Sequence, residues 1–114
     1  MPKGILYVES RPSSPERLAD YHRWYDEQHL REVAGLDGFV AARRYTPLDG
    51  GADGSFVAIY EIESDDLQAT FASLADAATR GDVFMSDAIQ MDPPPTFRLM
   101  ELRTSYEPGG EAAP

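Results

Sequence analysis

The chain has 114 residues and no cysteine, and its 20 Asp and Glu residues against 10 Lys and Arg residues give a formal net charge of −10. Without cysteine it has no disulfide framework, thiolate metal site or cysteine nucleophile. The acidity argues against nucleic acids and anionic membranes as partners, because both attract basic surfaces. The length suits one domain, which we assign to residues 1–106, with a flexible tail at 107–114. We expect a cytoplasmic protein, since the sequence shows no apolar run of about 20 residues and no signal-peptide pattern.

The first half of the chain predicts a strand, a long helix and a second strand. Residues 4–8 are rich in β-formers and end at polar residues. Ser14 is a suitable N-cap, and the helix that follows should run over 15–34 and stop at Gly35. Residues 39–48 read as the second strand.

The second half of the chain predicts the same order again, a strand, a helix and a strand. Residues 49–54 have the Asp and Gly content of a hairpin-type turn, and 55–63 reads as a strand. A helix over 67–80 follows a Ser-Asp-Asp cap. Residues 82–95 predict one or two helical turns before a run of three prolines, and 96–106 predicts the last strand.

The order β-α-β-β-α-β predicts an α+β, ferredoxin-like protomer, with a four-stranded antiparallel sheet and both helices on one face. The strands carry apolar residues on both faces: in the third, Tyr60 and Ile62 alternate with Val57 and Ile59. Two helices can cover only one face. We therefore expect a second copy of the chain to cover the other, as a homodimer.

The inward stripe of the first helix carries the candidate chemistry. Counted at about 100° per residue, it comprises Leu18, Tyr21, His22, Tyr25, His29, Val33 and Leu36. His29 is the candidate general acid or base, because an imidazole titrates near neutrality, and Asp26 lies within reach as its hydrogen-bonding neighbour. The alternative is a core histidine whose ring bonds a carbonyl or a tyrosine hydroxyl, and whether His22 or His29 is functional stays open. Trp24, on a flank, should pack against 82–95 or a partner subunit.

Other sites have weaker support. His22, Asp26 and His29 have a conceivable metal-ligand spacing but converge poorly, so we expect no metal. No cofactor is expected, although haem held through His29 is an alternative. Of the adjacent Arg43 and Arg44 only one can face a given cavity, and Arg43 is the substrate-binding candidate, with a surface ion pair as the alternative. The sequence has no glycine-rich nucleotide loop or Gly-x-Ser-x-Gly elbow.

The helix segment Tyr-His-Arg-Trp-Tyr-Asp-Glu-Gln-His-Leu at 21–30 is followed by Gly38-Phe39 and, at 42–45, Ala-Arg-Arg-Tyr. Together they resemble the EthD-like branch of the dimeric α/β-barrel superfamily, in which a W-Y-D-x-x-H helix precedes G-F-x-x-x-R-x-Y. Tyr60-Glu61 also fits that pattern. The resemblance implies protomers paired sheet to sheet, with a ligand cavity between the sheet and the helices of each. Its motif histidine is His29, with Tyr25 and Asp26 as companions.

The resemblance and the helix stripe together predict a small cofactor-independent enzyme of secondary or catabolic metabolism. Its substrate would be an aromatic or enolisable carbonyl compound, and the reaction of cyclase, isomerase, lyase or monooxygenase type. His29, Tyr25 and Asp26 are the catalytic candidates. The candidate substrate contacts are His22, Tyr7, Tyr45, Tyr60, Trp24 and Arg43. The alternatives are a non-catalytic small-molecule-binding or accessory protein and, with less support, a haem-binding protein.

Overall fold

The computed structural model describes residues 1–49 and 54–109 and has the predicted order of elements. The strands are β1 (Lys3–Ser10), β2 (Phe39–Tyr45), β3 (Phe56–Glu63) and β4 (Thr96–Glu101). β2 and β4 end three and five residues earlier than predicted. Of the predicted hairpin turn, residues 50–53 lie outside the described residues, as do 110–114 of the predicted tail.

The sheet has the strand order β2-β3-β1-β4, and all neighbouring strands are antiparallel. This is the ferredoxin-like arrangement, in which the first and third strands lie at the centre. The ladder between β2 and β3 is regular except near its start: Phe39 pairs with Ile62 and Ala41 with Glu61, so Val40 is an extra residue on β2. Such a bulge reverses the face on which every later side chain of the strand lies.

The first helical segment is continuous but changes its geometry three times. It begins with a 3-10 turn at Pro15–Arg17, continues as α1 (Leu18–Trp24), widens to a π turn at Tyr25–His29 and ends as α2 (Leu30–Ala34). Ser14 occupies the N-cap with extended backbone angles, but its side chain makes no capping hydrogen bond within the described chain. The second helix, α3 (Leu67–Arg80), is capped as predicted, by Asp66 on the Ala69 amide and by Gly81 at a φ of 85°.

The π turn explains which residues of the first helical segment are buried. Tyr21, Tyr25, His29 and Val33, four residues apart, are all buried. In a regular α-helix, residues four apart differ by about 40° in direction around the axis. The π turn, in which the Leu30 amide donates to the Tyr25 carbonyl, has more residues per turn and so offsets part of this difference. Leu18, where the predicted stripe begins, is 40% exposed, so its inward placement was wrong.

The segment 82–95 contains no helix among the described residues, contrary to the prediction. Its backbone instead runs beside the loop that enters the first helical segment: the Ser13 amide donates to the Ala88 carbonyl at 2.6 Å, and the Gln90 amide to the Arg11 carbonyl at 2.9 Å. These bonds between distant residues need an extended chain, which a helix would not present. The segment adds Val83, Ala88 and Ile89 to the core.

The core lies between the sheet and the helices. On β1 the inward Gly4, Leu6 and Val8 are buried, whereas the alternate residues are only half-buried on the open sheet face. A Cβ atom on Gly4 would meet the Met100 carbonyl oxygen, so glycine is required for the close approach there. No helix among the described residues is long and apolar enough to cross a bilayer.

Candidate functional site

Polar side chains are buried together beneath the π turn, between the first helical segment and the inner sheet face. The helical segment contributes Tyr25 and His29, and the strands contribute Arg44 and Tyr60. Three of them are buried, and the Arg44 side chain is only 12% exposed. We call these four residues the polar cluster.

His29 is enclosed by aromatic rings. The Trp24 indole stacks on its imidazole with centroids 4.4 Å apart, and Tyr25 presents its edge at 5.1 Å. Burial, aided by the positive charge of Arg44, lowers the pKa of His29 to about 4, although the Glu32 carboxylate acts in the opposite direction. The ring is therefore neutral at pH 7, and its Nδ1 atom has no hydrogen-bond partner in the described chain.

Arg44 lies over the face of Tyr25, with its guanidinium carbon 4.4 Å from the ring centroid. Its Nη1 atom donates to Asp26 Oδ1 at 2.8 Å and lies 3.1 Å from His22 Nδ1, which must accept because arginine has only donors. Burial and the neighbouring guanidinium lower the pKa of His22. The Arg44 Nε and Nη2 atoms are buried, and no residue described in the structure bonds them.

The tyrosines of this region differ in their hydrogen bonding. The buried Tyr21 hydroxyl pairs with Ser10 Oγ at 2.7 Å. The Tyr60 hydroxyl is also buried but makes no hydrogen bond to any described residue. Burial raises the pKa of both phenols, and for Tyr60 the neighbouring Tyr25 adds to the effect. Both phenols are thus neutral and able to donate at physiological pH.

The bulge at Val40 decides which arginine belongs to the site. Beyond it, Arg44 pairs with buried Ala58 on the inner face, while Arg43 pairs with Ile59 on the open face. There Arg43 forms an ion pair with Glu61, as in the surface-ion-pair alternative, on the face opposite the polar cluster.

Two further predicted contacts lie away from the polar cluster. Tyr45, like Arg43, follows the bulge on the open face and is 50% exposed. Tyr7 pairs with Ile59 on that face and donates to Glu9 at 3.0 Å. Both tyrosines therefore lie on the sheet face opposite His29, and their contact with a substrate stays a prediction.

Three other predicted site residues, Asp26, His22 and Trp24, lie around the polar cluster. Asp26 is expected to orient His29, but its side chain is 59% exposed and accepts a hydrogen bond from Arg44. His22 lies beside it on the same guanidinium. Trp24 packs against the segment 82–95 as expected, donating from Nε1 to the Phe84 carbonyl at 3.0 Å.

Sequence reasoning missed Arg44 as a site residue. The signal was the adjacent pair of arginines, since strand alternation puts one of two neighbours on the inner face without telling which. Within 1–49 and 54–109, no three side chains of the His, Asp or Glu type cluster closely enough to hold a metal ion.

The polar cluster places buried hydrogen-bond donors beside an imidazole nitrogen that no described residue bonds. Arg44 and Tyr60 offer donors in a low-dielectric interior, where they stabilise negative charge more strongly than in water. The neutral His29 ring has one unprotonated nitrogen that can accept a proton, and this is Nδ1 in the tautomer whose hydrogen is on Nε2. An anion beside Arg44 would offset the charge that helps to lower the His29 pKa, so binding an acidic molecule would strengthen the base.

Two solved structures share this architecture over nearly the whole chain. A "putative monooxygenase" from Shewanella loihica PV-4 has a TM-score of 0.56 at 12% identity, and Rv0793 from Mycobacterium tuberculosis has one of 0.51 at 14% identity. Each match covers 94% of this chain and 99% of the other. No protein-family model matches the sequence, and neither does any curated protein. The likeness shows that the chain has the α+β protomer fold of dimeric α/β-barrel structures.

Proposed function

We propose that the protein is an enzyme that removes a proton from an aromatic or enolisable carbonyl substrate with its own side chains. The observation that carries the proposal is the grouping of unbonded buried polar atoms, His29 Nδ1 and Tyr60 hydroxyl, beside a buried arginine. Unsatisfied buried polar groups are costly in a folded protein, and functional sites are where such costs are retained. The π turn that carries His29 supports this, since π turns are frequent at functional sites.

In the proposed reaction, His29 Nδ1 takes a proton from the carbon beside the carbonyl, and the electron pair of that C–H bond delocalises onto the carbonyl oxygen. Tyr60 donates a hydrogen bond to the resulting enolate oxygen, and the positive charge of Arg44 adds electrostatic stabilisation. The enolate then follows the cyclase, isomerase or lyase route, or reacts with dioxygen as a co-substrate in a monooxygenase. The description of the Shewanella loihica protein supports the last of these.

The test is deuterium exchange at the benzylic carbon of phenylacetone, followed by proton NMR. We expect the wild type to accelerate exchange and His29→Asn to slow it roughly a hundredfold, since positioned bases contribute about this much. His22→Asn is the comparison variant, because His22 contacts Nη1 of Arg44 rather than the unbonded atoms, and it should slow exchange less than His29→Asn does. An unchanged rate in a folded His29→Asn variant removes the mechanism.

Ligand binding without chemistry is the second candidate, and the low pKa of His29 favours it, because a pKa of about 4 describes a weak base. The two candidates separate in the same experiment. A non-catalytic binding protein would broaden and shift the phenylacetone signals without exchanging its benzylic protons.

We further propose that two copies pair through their open sheet faces, as the EthD-like resemblance implies. Half-buried apolar residues of β1 and β3, including Ile5 and Ile59, support this. Light scattering should give a dimer mass at micromolar concentration, and Ile59→Arg should give a monomer. A monomeric wild type would overturn the pairing.

A further inference from the structure

The unbonded atoms of Arg44 lie on one edge of its guanidinium. Nη1 is occupied by Asp26 and His22, whereas Nε and Nη2 are both buried without a partner among the described residues. By covalent geometry Nε–H and one Nη2–H point in the same direction and form a fork. Two parallel donors of this kind match the two oxygens of a carboxylate.

The fork is buried and is held in place by the residues around it. Tyr25 lies under the guanidinium at 4.4 Å, and the Tyr21 and Phe56 rings lie at 5.3 and 5.7 Å. Asp26 holds the opposite edge from a largely exposed position. Folding has thus fixed and desolvated the cation, so a carboxylate that arrives there meets donors that need no rearrangement.

Phe56 separates Arg44 from a surface cleft of about 430 Å³. The lining includes the apolar residues Pro12, Pro15, Leu18 and Phe56, and its polar members are Arg11, Ser13, Ser14 and Gln90. Its volume lies in the range of small-molecule sites. The Phe56 ring is only half-buried, and it also contacts His22 edge-on at 4.6 Å. Of the rings around Arg44, it is the one that borders this cleft.

We propose that Arg44 is a specificity-determining residue for a planar aromatic carboxylate, whose ring occupies the cleft and whose carboxylate binds the Nε–Nη2 fork when Phe56 turns aside. This rests on the proposed function and narrows its substrate class to carbonyl compounds that carry a carboxylate. Exposed Leu18, which a helix facing only the core would bury, becomes part of the apolar floor for the ring.

The test compares benzoate with benzamide, which has the same shape but no charge, by calorimetry. We expect the wild type to bind benzoate at least about tenfold more tightly, since hydrogen bonds to charged groups contribute roughly 1.5–3 kcal/mol and about 1.4 kcal/mol is tenfold. Arg44→Met should abolish this preference, and Arg44→Lys should lose most of it because an ammonium has no fork. Arg43→Met is the matched control and should keep the preference, because that residue faces the open side of the sheet.

Gating by Phe56 is tested by stopped flow with Trp24 fluorescence, since Trp24 is the single tryptophan of the chain. Phe56→Ala should bind benzoate faster than the wild type. Equal affinities for benzoate and benzamide, no saturable benzoate binding, or a preference that survives in Arg44→Met would each overturn the carboxylate site. Arg44→Lys, which keeps the buried charge, guards against a Met variant that fails to fold.

The two proposals fail separately. If His29→Asn exchanges phenylacetone like the wild type while Arg44→Met loses benzoate, the carboxylate site stands without the proposed chemistry. If Arg44→Met keeps benzoate while His29→Asn loses exchange, the chemistry stands and the substrate class is wrong.

Discussion

The indole of Trp24 lies against the imidazole of His29, with ring centroids 4.4 Å apart and planes at 30°. This contact places the histidine with the larger pKa shift against the single tryptophan of the chain. Trp24 also bonds the Phe84 carbonyl, so one side chain links His29 to the segment 82–95. Changes of charge at His29 and of position at Phe84 should both be visible in Trp24 fluorescence.

Acid should destabilise the protein through His29. The pKa of the buried ring is about 4 against 6.5 when unfolded, so between these values only the unfolded state binds the proton. The stabilisation is complete above about pH 6.5 and is lost as the pH falls towards 4, by up to about 3 kcal/mol. Denaturant unfolding of the wild type and of His29→Gln should diverge across this window. Parallel curves for the two proteins would contradict the burial of a neutral imidazole.

Tyr60→Phe and Tyr21→Phe should differ in stability although they remove the same atom. The Tyr21 hydroxyl bonds Ser10 at 2.7 Å, so its removal should cost about 1–2 kcal/mol. The Tyr60 hydroxyl has no partner in the described structure, so its removal should change the free energy of unfolding by less than about 0.5 kcal/mol. Thermal and urea unfolding of both variants provide the measurement. An equal cost for both would mean that Tyr60 is bonded in the free protein.

The hydrogen bonds that Trp24 and Glu32 make to the backbone of Phe84 should be energetically coupled. The Trp24 indole donates to the Phe84 carbonyl at 3.0 Å, and the Phe84 amide donates to Glu32 Oε1 at 2.8 Å. Trp24→Phe and Glu32→Gln should each cost about 1 kcal/mol. The double variant should cost less than the sum by about 0.5 kcal/mol or more, because releasing one side of the peptide frees the other. Strict additivity in urea unfolding would show that the two bonds are independent.

Gly4→Ala should lower the free energy of unfolding although it adds only one methyl group. The added Cβ would meet the Met100 carbonyl oxygen in the neighbouring strand and Leu67 Cδ1 at 2.9 Å. Overpacking against backbone typically costs about 1–3 kcal/mol. Gly54→Ala is a useful comparison, since it adds a Cβ in open space and tests only the positive φ of 70°. Equal costs would show that β1 and β4 can separate slightly.

The topology was predictable because it depends on signals that repeat along the chain. Strand-forming segments locate the four strands, and the Asp66 cap and the Gly81 stop locate the two ends of α3. The β-α-β-β-α-β order follows once all the elements are located. The burial of His29 and Tyr25 followed from helical spacing in the same way.

Only part of the site was predictable, because two local irregularities of the backbone determine which side chains face it. The π turn realigns the helix stripe, and nothing in its Tyr-Asp-Glu-Gln-His sequence indicates a wider turn. The bulge at Val40 exchanges the faces of Arg43 and Arg44, and valine is an ordinary strand residue without the glycine that often indicates a bulge. Contacts between distant residues, such as Asp26 with Arg44, follow only once both registers are known.

The extra residue in β2 also affects how this chain should be aligned with others. An alignment that counts forward from Phe39 without a gap matches Arg43 to an inward side chain of any related strand that lacks the bulge. An alignment anchored on the cross-strand partners, Ala42 with Tyr60 and Arg44 with Ala58, compares like faces instead. Functional residues transferred to or from this protein should therefore be assigned by strand pairing, with one gap placed at Val40.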